Sequence, residues 1–342
     1  MTPAKLWLRI FATGFAVFCV MLLITLATPI PYGDLSRIGR LSDHQFGWQK
    51  PPPQVAHQDL QNAPLDQADV VLIGDSFSMT HHWQSVLAKA GYRIASTFWT
   101  HINAEALCGD LDDWLAHSGF HGKLIIIQSV ERNLSERLAA STQCTKMAKP
   151  FIQQAGPYTM AREEVPGFKL NWDAPIAQGL ITYWNTRKAL NTPGDTTYKS
   201  GAHLSATMVR AVPDGCNFFS HRLCSKALFL SDDINRGELT PADAETMKTF
   251  AAARRTPVLW MVIPNKTTVY IDPSHSTSFV SAFRNANLGP DLFEWAAQRH
   301  ALTRDFYFPN DTHLSMHGQL ELGELMLNEV RSRLPGALER SH

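Results

Sequence analysis

The chain has 342 residues, 44% of them hydrophobic and 18% charged, with 31 Lys and Arg balancing 31 Asp and Glu. That apolar content is ordinary for a globular protein and supplies the core of one large domain or of a domain with an insertion. No long run of either charge is present, which argues against nucleic acid as the main partner because phosphate binding needs a basic face; a neutral or diffusely charged glycan fits better.

Lys5 and Arg9 precede residues 10–30, IFATGFAVFCVMLLITLATPI, which carry no charge. About twenty apolar residues cross the hydrocarbon core as a helix. Positive residues ahead of such a stretch favour a cytoplasmic N-terminus and an exported remainder. Residues 1–30 are therefore expected as a membrane anchor. The rival reading is a cleaved signal peptide with a small-residue site near Ala27, although signal cores are usually only about 7–15 residues long. Residues 31–67 are rich in Pro, Gln, Asp and Gly, with Pro51-Pro52-Pro53 in the middle, and read as a linker.

Residues 68–334 read as one α/β domain, followed by a tail at 335–342. Val70–Ile73 is a strand, His81–Ala90 a helix and Arg93–Phe98 the next strand. A helix follows over Glu105–His117, then Lys123–Val130, a continuous apolar strand of the kind buried on both faces. Such alternation predicts a mostly parallel sheet with helices on both sides. From about 149 to 233 the pattern gives way to scattered prolines and aromatics, read as an irregular, partly β insertion with strand-like pieces at Leu204–Val212 and Lys226–Leu230. Alternation resumes with a helix at Pro241–Ala253 and a strand at Pro257–Ile263. Phe279–His300 is expected as largely helical, Leu302–Phe308 as a short strand and Ser315–Leu334 as the last helix.

With Cys19 inside the apolar segment, four cysteines remain. An even number in an oxidising compartment suggests two disulfides among three connectivities. Local spacing favours Cys108–Cys144 and Cys216–Cys224, and four buried free thiols are the alternative. Zinc is disfavoured, since no tight Cys-x-x-Cys or Cys/His pair occurs. The first βα turn also lacks a Gly-x-Gly-x-x-Gly or Gly-x-x-x-x-Gly-Lys loop, so no cofactor is called for.

The chemistry gathers in two blocks. In VVLIGDSFS, residues 70–78, an apolar strand breaks into Gly74-Asp75-Ser76. Chemistry in open α/β sheets collects at the carboxyl ends of the strands, so Ser76 is a candidate nucleophile. A serine hydroxyl needs a base, and an imidazole held by a carboxylate supplies one. Asp311 and His313, two apart in Phe308-Pro309-Asn310-Asp311-Thr312-His313, can meet Ser76 if the Val70–Ile73 and Leu302–Phe308 strands end on the same sheet edge. Either block alone is as easily turn chemistry. The backbone N–H of Ser76 is one oxyanion donor by position. Asn103 and Arg132 are candidates for others, although Asn103 could cap a helix and Arg132 could pair with Glu131 or Glu136. His81 and His82 read as surface histidines. Trp83, Trp99, Trp172, Trp184 and Trp260 read mostly as core, with sugar-stacking platforms as the functional alternative.

Four segments together resemble the SGNH hydrolase superfamily, and within it the alginate O-acetyltransferase branch. They are Gly74-Asp75-Ser76-Phe77-Ser78, Val130-Glu131-Arg132-Asn133, Ile263-Pro264-Asn265-Lys266-Thr267-Thr268-Val269-Tyr270, and Asp311-Thr312-His313 with Gly318. Ordinary members of the superfamily carry Asp-x-x-His, whereas this branch carries Asp-Thr-His. In the alginate proteins that block precedes the serine; here the serine comes first. The resemblance implies an SGNH-like three-layer α/β/α fold, with Ser76, His313 and Asp311 as a catalytic triad and Lys266 and Tyr270 as substrate contacts, a loop-structuring role being the alternative for those two. It implies acetyl transfer onto an exopolysaccharide or envelope glycan at the periplasmic face of a bacterial inner membrane, the acetyl donor being supplied by a membrane-bound O-acyltransferase. An acetylesterase with the same triad and a non-catalytic glycan-binding or assembly subunit are the alternatives.

Overall fold

The computed structural model describes residues 1–335 except 29–30, 159–164, 166–169, 171, 173–174, 176, 200 and 202–203, and the Asn103 side chain. Most of the expected tail, residues 336–342, lies outside the described residues. Strands form at β1 Val70–Gly74, β2 Ile94–Phe98, β3 Leu124–Val130, β4 Thr196–Tyr198, β5 Thr207–Ala211, β6 Lys226–Leu230 and β7 Val258–Ile263. The chain divides into two compact units. A sheet unit comprises Pro52–Glu163, Asp232–Tyr307 and His313–His342; an N-terminal unit comprises Met1–Pro51, Glu164–Ser231 and Phe308–Thr312.

The sheet unit is α/β, with a four-stranded sheet in the order β2-β1-β3-β7. All its pairings are parallel, in register at Val70↔Ile94, Val70↔Leu124 and Ile125↔Val258. Every residue of β1, β3 and β7 is buried, which is why these segments are unbroken apolar runs rather than alternating ones. Val71, Ile73, Ile125, Ile127, Trp260 and Val262, alternate residues pointing to one face, join a core with Leu111, Leu134, Met247 and Phe279 from the adjoining helices. Elsewhere the His82–Lys89 and Met316–Arg333 helices approach closely: a Cβ on Gly323 would stand 2.6 Å from the Trp83 carbonyl oxygen. Cys108 and Cys144 form a disulfide, and the Gly109 N–H donates to the Cys144 carbonyl oxygen beside it.

Three local expectations change. The helix expected from Glu105 begins at Leu111, after a 3-10 turn in which Ala104 and Glu105 have positive φ. Phe279–His300 splits into helices Thr277–Asn285 and Leu292–Arg299. Asn287 between them has φ 51°, and a Cβ on Gly289 would come within 2.0 Å of the Trp260 carbonyl oxygen, so the backbone itself lies against β7. Residues 302–307 form no strand. Asp305 has φ 56°, and only an isolated bridge pairs Tyr307 with Leu314, so Phe306 and Tyr307 are buried as side chains and not as a sheet ladder.

The N-terminal unit carries a three-stranded antiparallel sheet, β4-β5-β6, with Thr196↔Val209 and Val209↔Leu228 paired. Its core is Leu35, Leu41, Phe46, Ala189, Tyr198, Val209, Leu228 and Leu230. The first half of the expected linker is thus folded: Asp34–Gly39 and Asp43–Phe46 are short helices, and Trp48 packs on Phe308 with ring centroids 4.5 Å apart. The insertion is likewise partly β, but residues 164–231 gather with the N-terminal segment as a compact unit. Cys216 and Cys224 form the second disulfide. Pro3–Ala27 is a single apolar helix, long enough to cross a membrane and only 6% buried in its most apolar window.

Candidate active site

Ser76 lies just beyond β1, on a turn that the sequence builds tightly. A Cβ on Gly74 would meet Ser78 Cβ and Oγ at 2.9 Å and Gln128 Oε1 at 3.1 Å, so the turn closes only around a glycine. Asp75 points inward. Its Oδ1 accepts from the Phe77 N–H at 3.1 Å and Gln128 Nε2 at 2.7 Å; its Oδ2 accepts from the Val130 N–H at 2.8 Å and Arg137 Nη1 at 3.0 Å. Burial alone would raise the Asp75 pKa, but the Arg137 guanidinium and these hydrogen bonds hold it below the ordinary carboxylate value. Gln128 returns the grip, accepting from the Asp75 N–H at 2.8 Å and Ser78 Oγ at 2.9 Å. The end of β1 is thereby locked to β3 on one side of Ser76.

The side chain of Ser76 remains partly exposed, and its Oγ stands 2.6 Å from Nε2 of buried His313. The Phe77 ring packs on the imidazole with centroids 4.7 Å apart. An imidazole at this distance can take the hydroxyl proton through Nε2, provided its own proton sits on Nδ1. Ser315 caps the following helix by accepting from the Gly318 N–H, which fixes the chain just after His313. A cleft of about 490 Å³ is lined by Pro53, Gln61, Thr80, His82, Tyr158 and Met316. Thr80 follows Ser76 by four residues and Met316 follows His313 by three.

Asp311 belongs to the N-terminal unit, where it is fully buried and its Oδ2 accepts from the Asp34 N–H at 2.9 Å. Asp34 in turn accepts from the Thr312 N–H at 2.9 Å and Thr312 Oγ1 at 2.6 Å. A Cβ on Gly33 would fall 2.0 Å from the Asn310 carbonyl oxygen, so the two segments touch backbone to backbone. Buried Asp43 accepts from Asn310 Nδ2 and from the Tyr32 N–H. Burial raises its pKa to about 6 despite those hydrogen bonds.

The other candidates fare unevenly. Asn103 lies in a 3-10 turn after β2, and its side chain is outside the described residues. The Arg132 guanidinium binds neither Glu131 nor Glu136; its Nη1 donates to Asp233 Oδ1 at 3.0 Å, with 10% and 0% of the two side chains exposed. A cation committed to a buried carboxylate is not a free oxyanion donor. Glu131 is buried, accepting from the Asn265 N–H at 2.8 Å, Thr268 Oγ1 at 2.7 Å and Ser276 Oγ at 2.5 Å. It thereby joins the Val130–Asn133 and Ile263–Tyr270 segments. Lys266 and Tyr270 are buried, which fits the loop-structuring alternative. The Tyr270 hydroxyl accepts from the Tyr307 N–H, and burial raises its pKa.

His81 and His82 are buried, not on the surface. His81 Nδ1 lies 2.6 Å from the Leu60 carbonyl oxygen, and burial lowers its pKa. Trp83, Trp99 and Trp260 are core, whereas Trp172 and Trp184 are 73% and 68% exposed. Sequence reasoning did not single out Asp75, Gln128 and Arg137 as supports of the serine turn, or Asp34 as the clasp on Thr312. Gln128 had a visible signal, a lone amide inside the apolar run LIIIQSV.

Comparison with known proteins places the chain in no family: no family model matches it, and neither a curated protein nor a solved structure does.

Proposed function

We propose that the chain is a serine O-acetyltransferase of SGNH type, transferring acetyl groups onto an exopolysaccharide or envelope glycan. The observation that carries this reading is the 2.6 Å approach of Ser76 Oγ to His313 Nε2 at the carboxyl end of β1. Because β2 and β3 lie on opposite sides of β1, the order in which strands are added to the sheet reverses at β1 and β3, which makes the kind of crevice where open α/β sheets bind ligands. The resemblance of the four motif segments supplies the acetyl group and the glycan; the geometry supplies a nucleophile and a base.

In this mechanism His313 takes the Ser76 proton as Oγ attacks the acetyl carbonyl. The tetrahedral intermediate collapses, the proton passes to the departing alcohol, and acetyl-Ser76 remains. A sugar hydroxyl, deprotonated by His313, then attacks the acyl carbon and restores Ser76. The Ser76 N–H is the first oxyanion donor, a contribution of about 3 kcal/mol to the transition state, and Asn103 is the candidate second. Asp311 takes the role of orienting His313 from the Asp-Thr-His pattern. Acetyl donor delivery by a membrane-bound O-acyltransferase, and a site at the periplasmic face of a bacterial inner membrane, follow from the same resemblance. The apolar N-terminal helix and two disulfides support an anchored chain in an oxidising compartment. Partial exposure of Ser76 favours the esterase as a second reading, because water can reach an acyl group there.

The test gives the full chain an acetyl ester donor with and without bare glycan oligomers and follows the masses of the oligomers and the acetate released. Acetyl appearing on the oligomers in a Ser76-dependent manner supports transfer. Acetate release unchanged by any acceptor supports the esterase and rejects transfer.

A further inference from the structure

The Gln178–Asn191 helix is packed the wrong way round for a helix whose outer face meets only water. Its buried residues are Gly179, Thr182, Thr186 and Ala189, spaced three or four apart, so small side chains face inward. The large apolar ones face out: Leu180, Tyr183, Trp184 and Leu190 are 38%, 50%, 68% and 40% exposed. With Arg187 they form one stripe at helical spacing. A helix bathed in water ordinarily shows the opposite pattern, large apolar residues inside and polar ones out.

The position of the stripe says what covers it. A Cβ on Gly179 would lie 2.4 Å from Thr25 Cα, and the Gly179 N–H donates to Thr25 Oγ1 at 3.3 Å. Thr25 stands two residues before the end of the apolar Pro3–Ala27 helix. The first turn of the Gln178–Asn191 helix is therefore docked against the C-terminal end of the apolar N-terminal helix, the end at which a helix spanning a bilayer leaves the hydrocarbon. At that depth tyrosine and tryptophan concentrate, with one end apolar and the other wet. Arg187 Nη1 donates to the Tyr183 hydroxyl at 2.9 Å, and both Arg187 and Lys188 are exposed, as suits long cationic side chains reaching lipid phosphates.

We propose that the Gln178–Asn191 helix is an interfacial helix that seats Leu180, Tyr183, Trp184 and Leu190 in the headgroup–acyl boundary of the bilayer spanned by the N-terminal helix. The inference rests on that span and not on acetyl transfer. It gives the chain a second membrane attachment.

The experiment reconstitutes the full chain and its Trp184→Phe form in vesicles of phosphatidylethanolamine and phosphatidylglycerol. Some of the vesicles carry a nitroxide at a shallow or a deep acyl carbon. Subtracting the two emission spectra isolates Trp184 from the other tryptophans. The expected Trp184 component is blue-shifted, quenched several-fold more by the shallow than by the deep nitroxide, and shielded from aqueous acrylamide. Free quenching by acrylamide with none by nitroxide would place Trp184 in water and overturn the proposal. Shielding from both quenchers would place it against protein and overturn it equally, as would failure of the chain to float with the vesicles.

Discussion

Replacing Arg137 with methionine should destabilise the sheet unit strongly, and by an amount that depends on pH. Arg137 Nη1 bonds Asp75 Oδ2 at 3.0 Å and Ser129 Oγ at 2.8 Å, its Nε bonds Glu105 at 3.0 Å, and its Cζ sits 4.8 Å from the Trp99 ring centroid. Only 6% of the arginine side chain and 8% of the Asp75 side chain are exposed. Methionine keeps the stem but strands a buried carboxylate, and breaking a buried pair in this way costs about 3–5 kcal/mol. In the wild type the Asp75 pKa is depressed, so its contribution is present above the unfolded pKa and lost as pH falls through the lower folded one. Without Arg137, desolvation dominates, the folded pKa rises above the unfolded value, and the variant is penalised as pH rises through it. The gap between the two proteins should therefore be widest near pH ~7 and narrow towards pH ~4. Denaturant unfolding followed by tryptophan emission at several pH values measures it. The double change Arg137→Met with Asp75→Asn should recover much of the loss, because the only carboxylate then without its arginine is the 42% exposed Glu105, which water solvates. A single variant within about 0.5 kcal/mol of wild type, or a gap independent of pH, would refute the reasoning.

Three further outcomes follow from the same structure. Gly74→Ala forces a Cβ to within 2.9 Å of Ser78 and should cost about 1–3 kcal/mol in unfolding free energy, with acetyl-ester turnover falling as the serine turn opens. Asp43→Asn should flatten a pH dependence in the N-terminal unit. With a folded pKa of about 6 against an ordinary 3.8, the wild-type contribution is full below the lower value and lost as pH rises through the upper, a trend in thermal midpoint that the variant should lack. Cys108→Ser opens a bridge between residues 36 apart in sequence and should lower stability by about 2–5 kcal/mol; reducing agent should lower the wild type by more than the variant, in which only Cys216–Cys224 is left to open.

The elements read most easily from the sequence are those whose pattern a single physical cause dictates. β1, β3 and β7 are buried on both faces, and their unbroken apolar runs announce it. Ser76 and His313, 237 residues apart, could be paired because each follows a segment that reads as ending at one sheet edge. The second of those segments is no strand, and buried Phe306 and Tyr307 show why its apolar character misled. Residues 31–51 were hidden by composition: Leu35, Leu41 and Phe46 are scattered among polar residues, and only the sheet they pack with reveals them as core. The hold of Asp34 on Thr312 spans 278 residues and leaves no local periodicity to find. Arg132, Lys266 and Tyr270 follow β3 and β7, yet Asp233 holds the first and the other two are buried. Position after a strand shows which residues reach the active edge, not which way they turn.

The most direct test of the account is the intact mass of the full chain after brief exposure to an acetyl ester, compared with its Ser76→Ala and His313→Gln forms. The account predicts one added acetyl group on the wild type, mapping to the peptide that contains Ser76, none on Ser76→Ala, and a greatly slowed appearance on His313→Gln. Equal acetylation of all three proteins, or none of the wild type under conditions in which the ester is turned over, would contradict it.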